Sequence, residues 1–266
     1  MILPAVFDAD EVRQMQEEAD FILELILNSS ICNGRKSGRL DIRKVPPTGH
    51  QIVRKIQPIN DLSLYLAQVS ADERLVGAMA QLMGDTPVLM EEKLNYKEPL
   101  PEPVDIEAPE KEDRFPVHNN WAYYRAQNYP REIISSAISM NACTPESGPL
   151  RIWPGSHKEY LEHEQMGLGL QVKPGLIDMD GGQDVLCPAG SVMFFHSVLV
   201  HNSKSNVSGL PRRVMIYSHC PKAFNMGQDV RNGPGRLRES PYELQYLRAR
   251  ADGKFTDEFS SPTFDG

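Results

Sequence analysis

Apolar residues recur at helical spacing in two stretches near the start of the chain and then give way to short apolar runs. From Asp8 to Asn28, DADEVRQMQEEADFILELILN sets Val12, Met15, Ala19, Ile22, Leu23 and Ile26 on one side of a 3.6-residue period. Asp8 or Asp10 is available to cap this segment and acidic residues fill its first turn, so it predicts an amphipathic helix. A second helical pattern runs from Asn60 to Gly84 through Leu62, Leu64, Leu66 and Val69, breaks at Ser70, and resumes through Leu75, Val76, Met79, Leu82 and Met83. Between the two, residues 29–50 are rich in Ser, Gly, Asn, Pro and basic side chains, which predicts loop with room for one short strand.

After Gly84 the texture changes. TPVLMEEKLNYK, EIISSAISMNAC, GPLRIWPG, DVLCPAGSVMFFH, SVLVHNS and RRVMIYSHC are short, β-rich and bounded by Pro and Gly, the pattern of an antiparallel sandwich or barrel. The proline-rich acidic stretch 98–113 predicts an exposed loop, and no repeat is visible. The expected organisation is one mainly β domain with flanking helices over 1–266: a helical cover over 1–86, a β core over 87–220 and an irregular or partly helical tail over 221–266.

Charge then narrows the partners. A net charge of −8 argues against nucleic acid or an anionic membrane surface, since either favours a basic patch. The opening MILPAVFDADEV lacks a signal peptide's basic start, and no run approaches about 18 uncharged apolar residues, so a cytoplasmic location is expected. Cys32, Cys143, Cys187 and Cys220 are scattered with no CxxC pair, which predicts buried reduced thiols over disulfides or zinc.

Of the seven histidines, His118 in FPVHNNWAYYR and His201 at the end of an apolar run stand out by context, yet each alone is compatible with a core or loop position. The stretch from about 88 to 220 resembles, in order, the phytanoyl-CoA dioxygenase family of iron(II)/2-oxoglutarate oxygenases. EKLNYK and the following loop look like the strand leading to the first ligand. HNNWAYYR looks like the family's HxD strand, SGPLRIWPGSHK like its turn and PGSH signature, and GSVMFFHSVLVHNSKSNVSGLPRR like the strand of the distal histidine, with an arginine eleven residues beyond it.

The resemblance implies a double-stranded β-helix, a cupin-like jelly roll, and an oxygenase that oxidises a small molecule with Fe(II), 2-oxoglutarate as cosubstrate and dioxygen (O2), a hydroxylase of small acids or secondary metabolites being the leading class. His118 and His201 would be metal ligands, leaving open coordination positions on the far side. Arg212 would clamp the distal carboxylate of 2-oxoglutarate by its planar fork, Ser203 could donate to the same carboxylate, and Asn95 and Lys97 could touch the cosubstrate. Arg213 should point the other way if 212–218 is a strand. His196 reads as core or ligand support, His157 as a turn-fixing ring, and His219 as surface or pocket mouth. Trp121, Tyr123, Tyr124 and Arg125, read as an alternating strand, and Arg114 are candidate substrate contacts, with ordinary core rings and surface charges as the competing reading. Residues 98–117 and 158–182 read as specificity loops or lids.

The pattern breaks at position 120. The family's HxD motif has aspartate where this chain has Asn120, a neutral and weaker donor to a hard metal. The explanations that stay open are an engineered Asp→Asn replacement in an otherwise active enzyme, a two-histidine site of the halogenating kind, an inactive or binding protein on the same fold, and a family member whose carboxylate ligand comes from elsewhere in the chain.

Overall fold

The residues of Pro87–Lys97 alternate in direction, and that alternation separates a packed layer from a cavity. The structure, a computed structural model, describes residues 1–32, 34, 36–45, 50–100, 115–166 and 169–224 and a short ladder of 228–229 with 233–234. Its elements are β1 (Ile2–Leu3), α1 (Ala9–Cys32), β2 (Leu40–Val45), β3 (His50–Ile56), α2 (Leu64–Val69), α3 (Glu73–Met83), β4 (Pro87–Lys97), β5 (Phe115–His118) and α4 (Trp121–Tyr124). They continue as β6 (Ile134–Ser139), β7 (Leu150–Ile152), β8 (His163–Met166), β9 (Gly169–Val172), β10 (Gln183–Asp184), β11 (Val192–His196), β12 (His201–Ser203) and β13 (Arg212–Pro221).

One antiparallel sheet has the order β1-β11-β6-β13-β4-β3-β2 and a second the order β10-β7-β12-β5. The two enclose a cavity, giving a cupin-like jelly roll with helices on the outer face of the larger sheet. On that outer face Leu94, Tyr96, Met215 and Tyr217 are buried with Met15, Ala19 and Ile22 of α1 and Leu66, Leu75 and Met79 of α2 and α3. The inward positions of the same strands, Glu91, Lys93, Asn95 and Lys97 on β4 and Arg212, Val214 and Ile216 on β13, line the cavity. The two buried phenols are satisfied: Tyr96 donates to the Ala19 carbonyl at 2.8 Å and Tyr217 to that of Leu66 at 2.5 Å.

The helices form where the periodicity places them. Asp8 caps α1, its carboxylate accepting from the N–H groups of Asp10 and Glu11. The break at Ser70 is real: Ser70 closes α2, Asp72 caps α3, and Gly84, at φ 67°, ends it.

Two expectations change. Residues 1–86 are not only a helical cover, because β2 and β3 form a hairpin that extends the large sheet beyond β4. Of the loop expected over 98–113, only 98–100 is described, and Leu100 is buried against Ile52 rather than exposed. Arg114, residues 167–168 within the expected lid and nearly all of the tail lie outside the described residues. No described helix is long and apolar enough to cross a membrane.

Leu94, fully buried between sheet and helices, tests this layer. Leu94→Ala should cost about 2–5 kcal/mol, read as a lower urea midpoint with little change in its slope; an unchanged midpoint would show that the face is not packed.

Candidate active site

β5 ends at His118, β12 begins at His201, and the antiparallel ladder sets these two residues directly opposite each other. Their ring centroids lie 4.5 Å apart. Each Nδ1 bonds the carbonyl two residues back in its own chain, Pro116 at 2.7 Å and Leu199 at 2.9 Å. A carbonyl only accepts, so each Nδ1 carries the proton and each Nε2 the lone pair, the tautomer that binds metal. Burial drives His118 well below the ordinary imidazole range, helped by the neighbouring His201, and brings His201 down to about 4. Both rings are therefore neutral at pH 7. Phe195 packs edge-on to His201 and Tyr123 edge-on to His118, at 5.4 and 5.8 Å.

The segment after His118 is not the extended strand expected. Asn119 starts a helical turn by accepting the Ala122 N–H at 2.9 Å, and its own N–H donates to His163 Nε2 at 3.1 Å. Asn120 has helical backbone angles and makes no capping bond, and its buried side chain lines the cavity beside His118 and His201. The donor set gathered here is two imidazoles and an amide oxygen, and no group of three His, Cys, Asp or Glu able to hold a metal occurs among the described residues. Two neutral imidazoles with free Nε2 atoms are donors of the kind an iron(II) site uses, and Asn120 adds only a neutral amide.

Arg212 is buried with its guanidinium fixed at three points. Nε donates to the Ser147 carbonyl at 3.0 Å, Nη2 to that of Gly148 at 2.7 Å and Nη1 to the Cys143 sulfur at 3.7 Å. Ser203, Asn95 and Lys97 line the cavity with it. Lys97 stands opposite Arg212 in the ladder and donates to the Lys204 carbonyl. Arg213 points away and pairs with Asp20 on α1.

Because Trp121–Tyr124 is helical, the aromatic candidates divide differently from a strand. Tyr123 and Tyr124 reach the cavity, whereas Trp121 and Arg125 do not line it. Trp121 instead stands edge-on to Tyr160, and the Arg125 guanidinium lies over both of those rings. His219 is neither surface nor mouth: it is buried, its Nε2 at 3.2 Å from the Ser70 carbonyl. His157 is exposed, and Ser156 fixes the PGSH turn by bonding the Trp153 carbonyl and the Val200 N–H at 2.7 and 2.9 Å. His196 ends β11 in the large sheet while His201 belongs to the small one, so the two are not residues of one straight strand. Cys143 and Cys220 are buried but Cys32 and Cys187 only partly so, and all four are free.

Other cavity residues escaped the sequence. Glu91 and Lys93 form a pair at 3.1 Å, and Tyr124 donates to Glu91 at 2.8 Å. Lys55 enters from β3 and Gln57 from the residue just after it. Burial, then the charge of Lys93, lowers the Lys55 ammonium to about 8. Strict i, i+2 alternation through EEKLNYK carried the signal for Glu91 and Lys93; Lys55 had none, since its strand lies beyond the stretch 29–50 read as loop and before the helical pattern from Asn60. The cavity holds about 380 Å³, enough for a small molecule.

A sequence model of the family described as Phytanoyl-CoA dioxygenase (PhyH) matches residues 1–214. Ectoine dioxygenase of Sphingopyxis alaskensis is 26% identical over 230 residues, covering 80% of this chain and 69% of that protein. The 2-aminoethylphosphonate dioxygenase of an uncultured bacterium is 25% identical over 220 residues, covering 79% and 69%. Among solved structures, EctD from S. alaskensis with bound Fe superposes with a TM-score of 0.65 at 22% identity, over 92% of this chain and 78% of that one. The epimerase SnoN from nogalamycin biosynthesis gives 0.61 at 15% identity, over 90% and 86%. At these identities the structural likeness speaks for the fold.

The depressed histidines make stability pH-dependent. His201 and His219 both sit near 4 in the fold, against an ordinary value of 6.5. Between those values the unfolded chain takes up protons that the native one refuses, so stability falls as pH drops from 6.5 towards 4, by up to about 1.4 kcal/mol per unit for each histidine. Urea unfolding of the metal-free protein should show a lower midpoint at pH 5 than at pH 7; equal midpoints would mean the imidazoles are not buried and neutral.

Proposed function

The chain belongs to the phytanoyl-CoA dioxygenase family of iron(II)- and 2-oxoglutarate-dependent oxygenases, and from that premise we propose that it oxidises a small charged molecule in the cavity between its two sheets. The observation that carries the reading is the facing pair His118 and His201, each with Nδ1 tied to a backbone carbonyl and Nε2 left to bind metal, in one cavity with the Arg212 fork. His118, His201 and the amide oxygen of Asn120 would hold iron(II). The bound metal, with 2-oxoglutarate and dioxygen, supplies the oxidant that removes hydrogen from the substrate.

The chain's own residues bind, orient and keep water out. Arg212 offers a charged fork to the distal carboxylate of 2-oxoglutarate, with Ser203 and Asn95 in reach of the same cavity. Val214, Ile216, Met193 and Phe195 make its centre apolar. The far wall is charged: Lys55 and Lys93 lie together, and the buried oxygens Gln57 Oε1 and Asn95 Oδ1 have no protein partner. Lys93 pairs with Glu91 and Lys55 faces Asp41 at 3.9 Å, so this wall carries both signs, and beside the unpaired acceptors it suits a substrate with a charged group and N–H or O–H donors. The names of relatives, 2-aminoethylphosphonate dioxygenase and methylphosphonate hydroxylase, support that class.

Asn120 favours a second reading, a binding protein for 2-oxoglutarate or a small acid that no longer turns over. A halogenating site is less favoured, since the Asn120 side chain fills the position a halide would need.

Two measurements decide. Succinate formation with Fe(II), ascorbate and 2-oxoglutarate should be slow in the chain as it stands and rise at least about tenfold in Asn120→Asp, given that changes to partners of the ligands alone cost roughly 10–100-fold; no turnover in either form leaves the binding reading. Arg212→Ala should weaken 2-oxoglutarate binding about 10–100-fold by calorimetry, the worth of a charge-assisted bidentate contact; an unchanged affinity would remove Arg212 from the site.

A further inference from the structure

Two thiols meet beside the arginine fork. Cys143 and Cys187 face each other in an isolated antiparallel bridge, each N–H donating to the other's carbonyl, at 2.8 and 3.3 Å. Residues opposed in this way have α-carbons about 5.5 Å apart, within the span of a disulfide. The Ser139 hydroxyl stands between the sulfurs, 3.4 Å from Cys143 and 3.5 Å from Cys187. Cys143 sulfur also receives the Arg212 Nη1–H at 3.7 Å. A sulfur that draws a guanidinium donor and a hydroxyl favours the thiolate form. Hydrogen bonding from the Cys187 thiol first, then the charge and donor of Arg212, lowers Cys143 against its burial, while Cys187 is pushed up as the protonated member. Cys143 lines the cavity, so a small oxidant reaches it.

We propose that Cys143 and Cys187 are a redox-modifiable thiol pair that sets the strength of the Arg212 clamp. A peroxide is the oxidant. The Cys143 thiolate attacks one peroxide oxygen, the O–O bond breaks, and Cys143 becomes a sulfenic acid while hydroxide leaves and takes a proton from solvent to become water. The Cys187 sulfur then displaces the sulfenic hydroxyl, which leaves with the Cys187 proton as a second water, and closes the disulfide, so one thiolate, one thiol, one peroxide and one proton yield one disulfide and two waters. The pair loses its negative charge in the process. In the reduced chain that charge neutralises Arg212 within the cavity and repels an incoming carboxylate; in the oxidised chain the full guanidinium charge is presented, so 2-oxoglutarate binds more tightly. This coupling rests on the reading of Arg212 given above, whereas the crosslink does not.

The test uses the full chain, oxidised with one equivalent of hydrogen peroxide and mapped by peptide mass, with 2-oxoglutarate affinity measured calorimetrically in Mn(II). The expected results are a Cys143–Cys187 crosslink reversed by dithiothreitol and absent in Cys187→Ser, and a dissociation constant lowered about three- to tenfold, the scale of a pKa-unit interaction or somewhat less. Cys143→Ser, which removes the charge without a crosslink, should lower the constant similarly and make it insensitive to peroxide. Failure to form the crosslink overturns the thiol pair. A constant that is unchanged or raised in both the oxidised chain and Cys143→Ser overturns the coupling. Absence of 2-oxoglutarate binding in every form strikes the cosubstrate reading and the coupling with it, while the crosslink is still scored by mass.

Discussion

His118 and His201 can share a ligand only because β5 and β12 are antiparallel neighbours in a register that places the two residues opposite each other. Strand side chains alternate between faces, so a slip of one residue would turn one imidazole out of the cavity and leave a single nitrogen donor. The register is held from both sides. Ile152 of β7 stands opposite His201 on its other edge, and Ser156 of the PGSH turn bonds the Val200 N–H immediately before it. The ring tautomers follow from the same strands, because the carbonyls of Pro116 and Leu199 take the Nδ1 protons.

The large sheet does the remaining work by having two unlike faces. Its outer positions are committed to the helices, which is why the inner ones can carry Lys, Glu, Asn and Arg without undoing the core. Arg212 shows how a buried cation is made tolerable: two carbonyls and a sulfur take its donors. One of those carbonyls belongs to Gly148, whose φ of 67° suits glycine and where a Cβ would run into the Lys204 backbone. The SGP turn is thus a socket for Arg212, a role its sequence alone does not reveal.

The elements with a clean period were legible: α2, α3, β4, β6 and β11 fall within the predicted runs and β13 overruns its run by one residue, while α1 continues four residues past Asn28, through Ser29–Cys32, into the stretch expected to be loop. The β2–β3 hairpin was not, since charged residues interrupt its alternation and Pro and Gly surround it, and with it Lys55 was missed. α4 was read as strand because Trp and Tyr favour strands in general; the Asn119 side chain, capping the Ala122 N–H, overrides that preference locally. The two histidines and Arg212 were found through ordered motifs, while the thiol pair was invisible because its members lie far apart in the chain and meet only by strand pairing.

With Asn120 in the aspartate position of the motif, the proposed iron site depends on His118 and His201 together holding a metal. Calorimetric titration with Mn(II) in the presence of 2-oxoglutarate, on the chain and on His201→Ala, tests it most directly. The account predicts one metal per chain, lost in His201→Ala; absence of stoichiometric binding, or binding that survives the substitution, would contradict it.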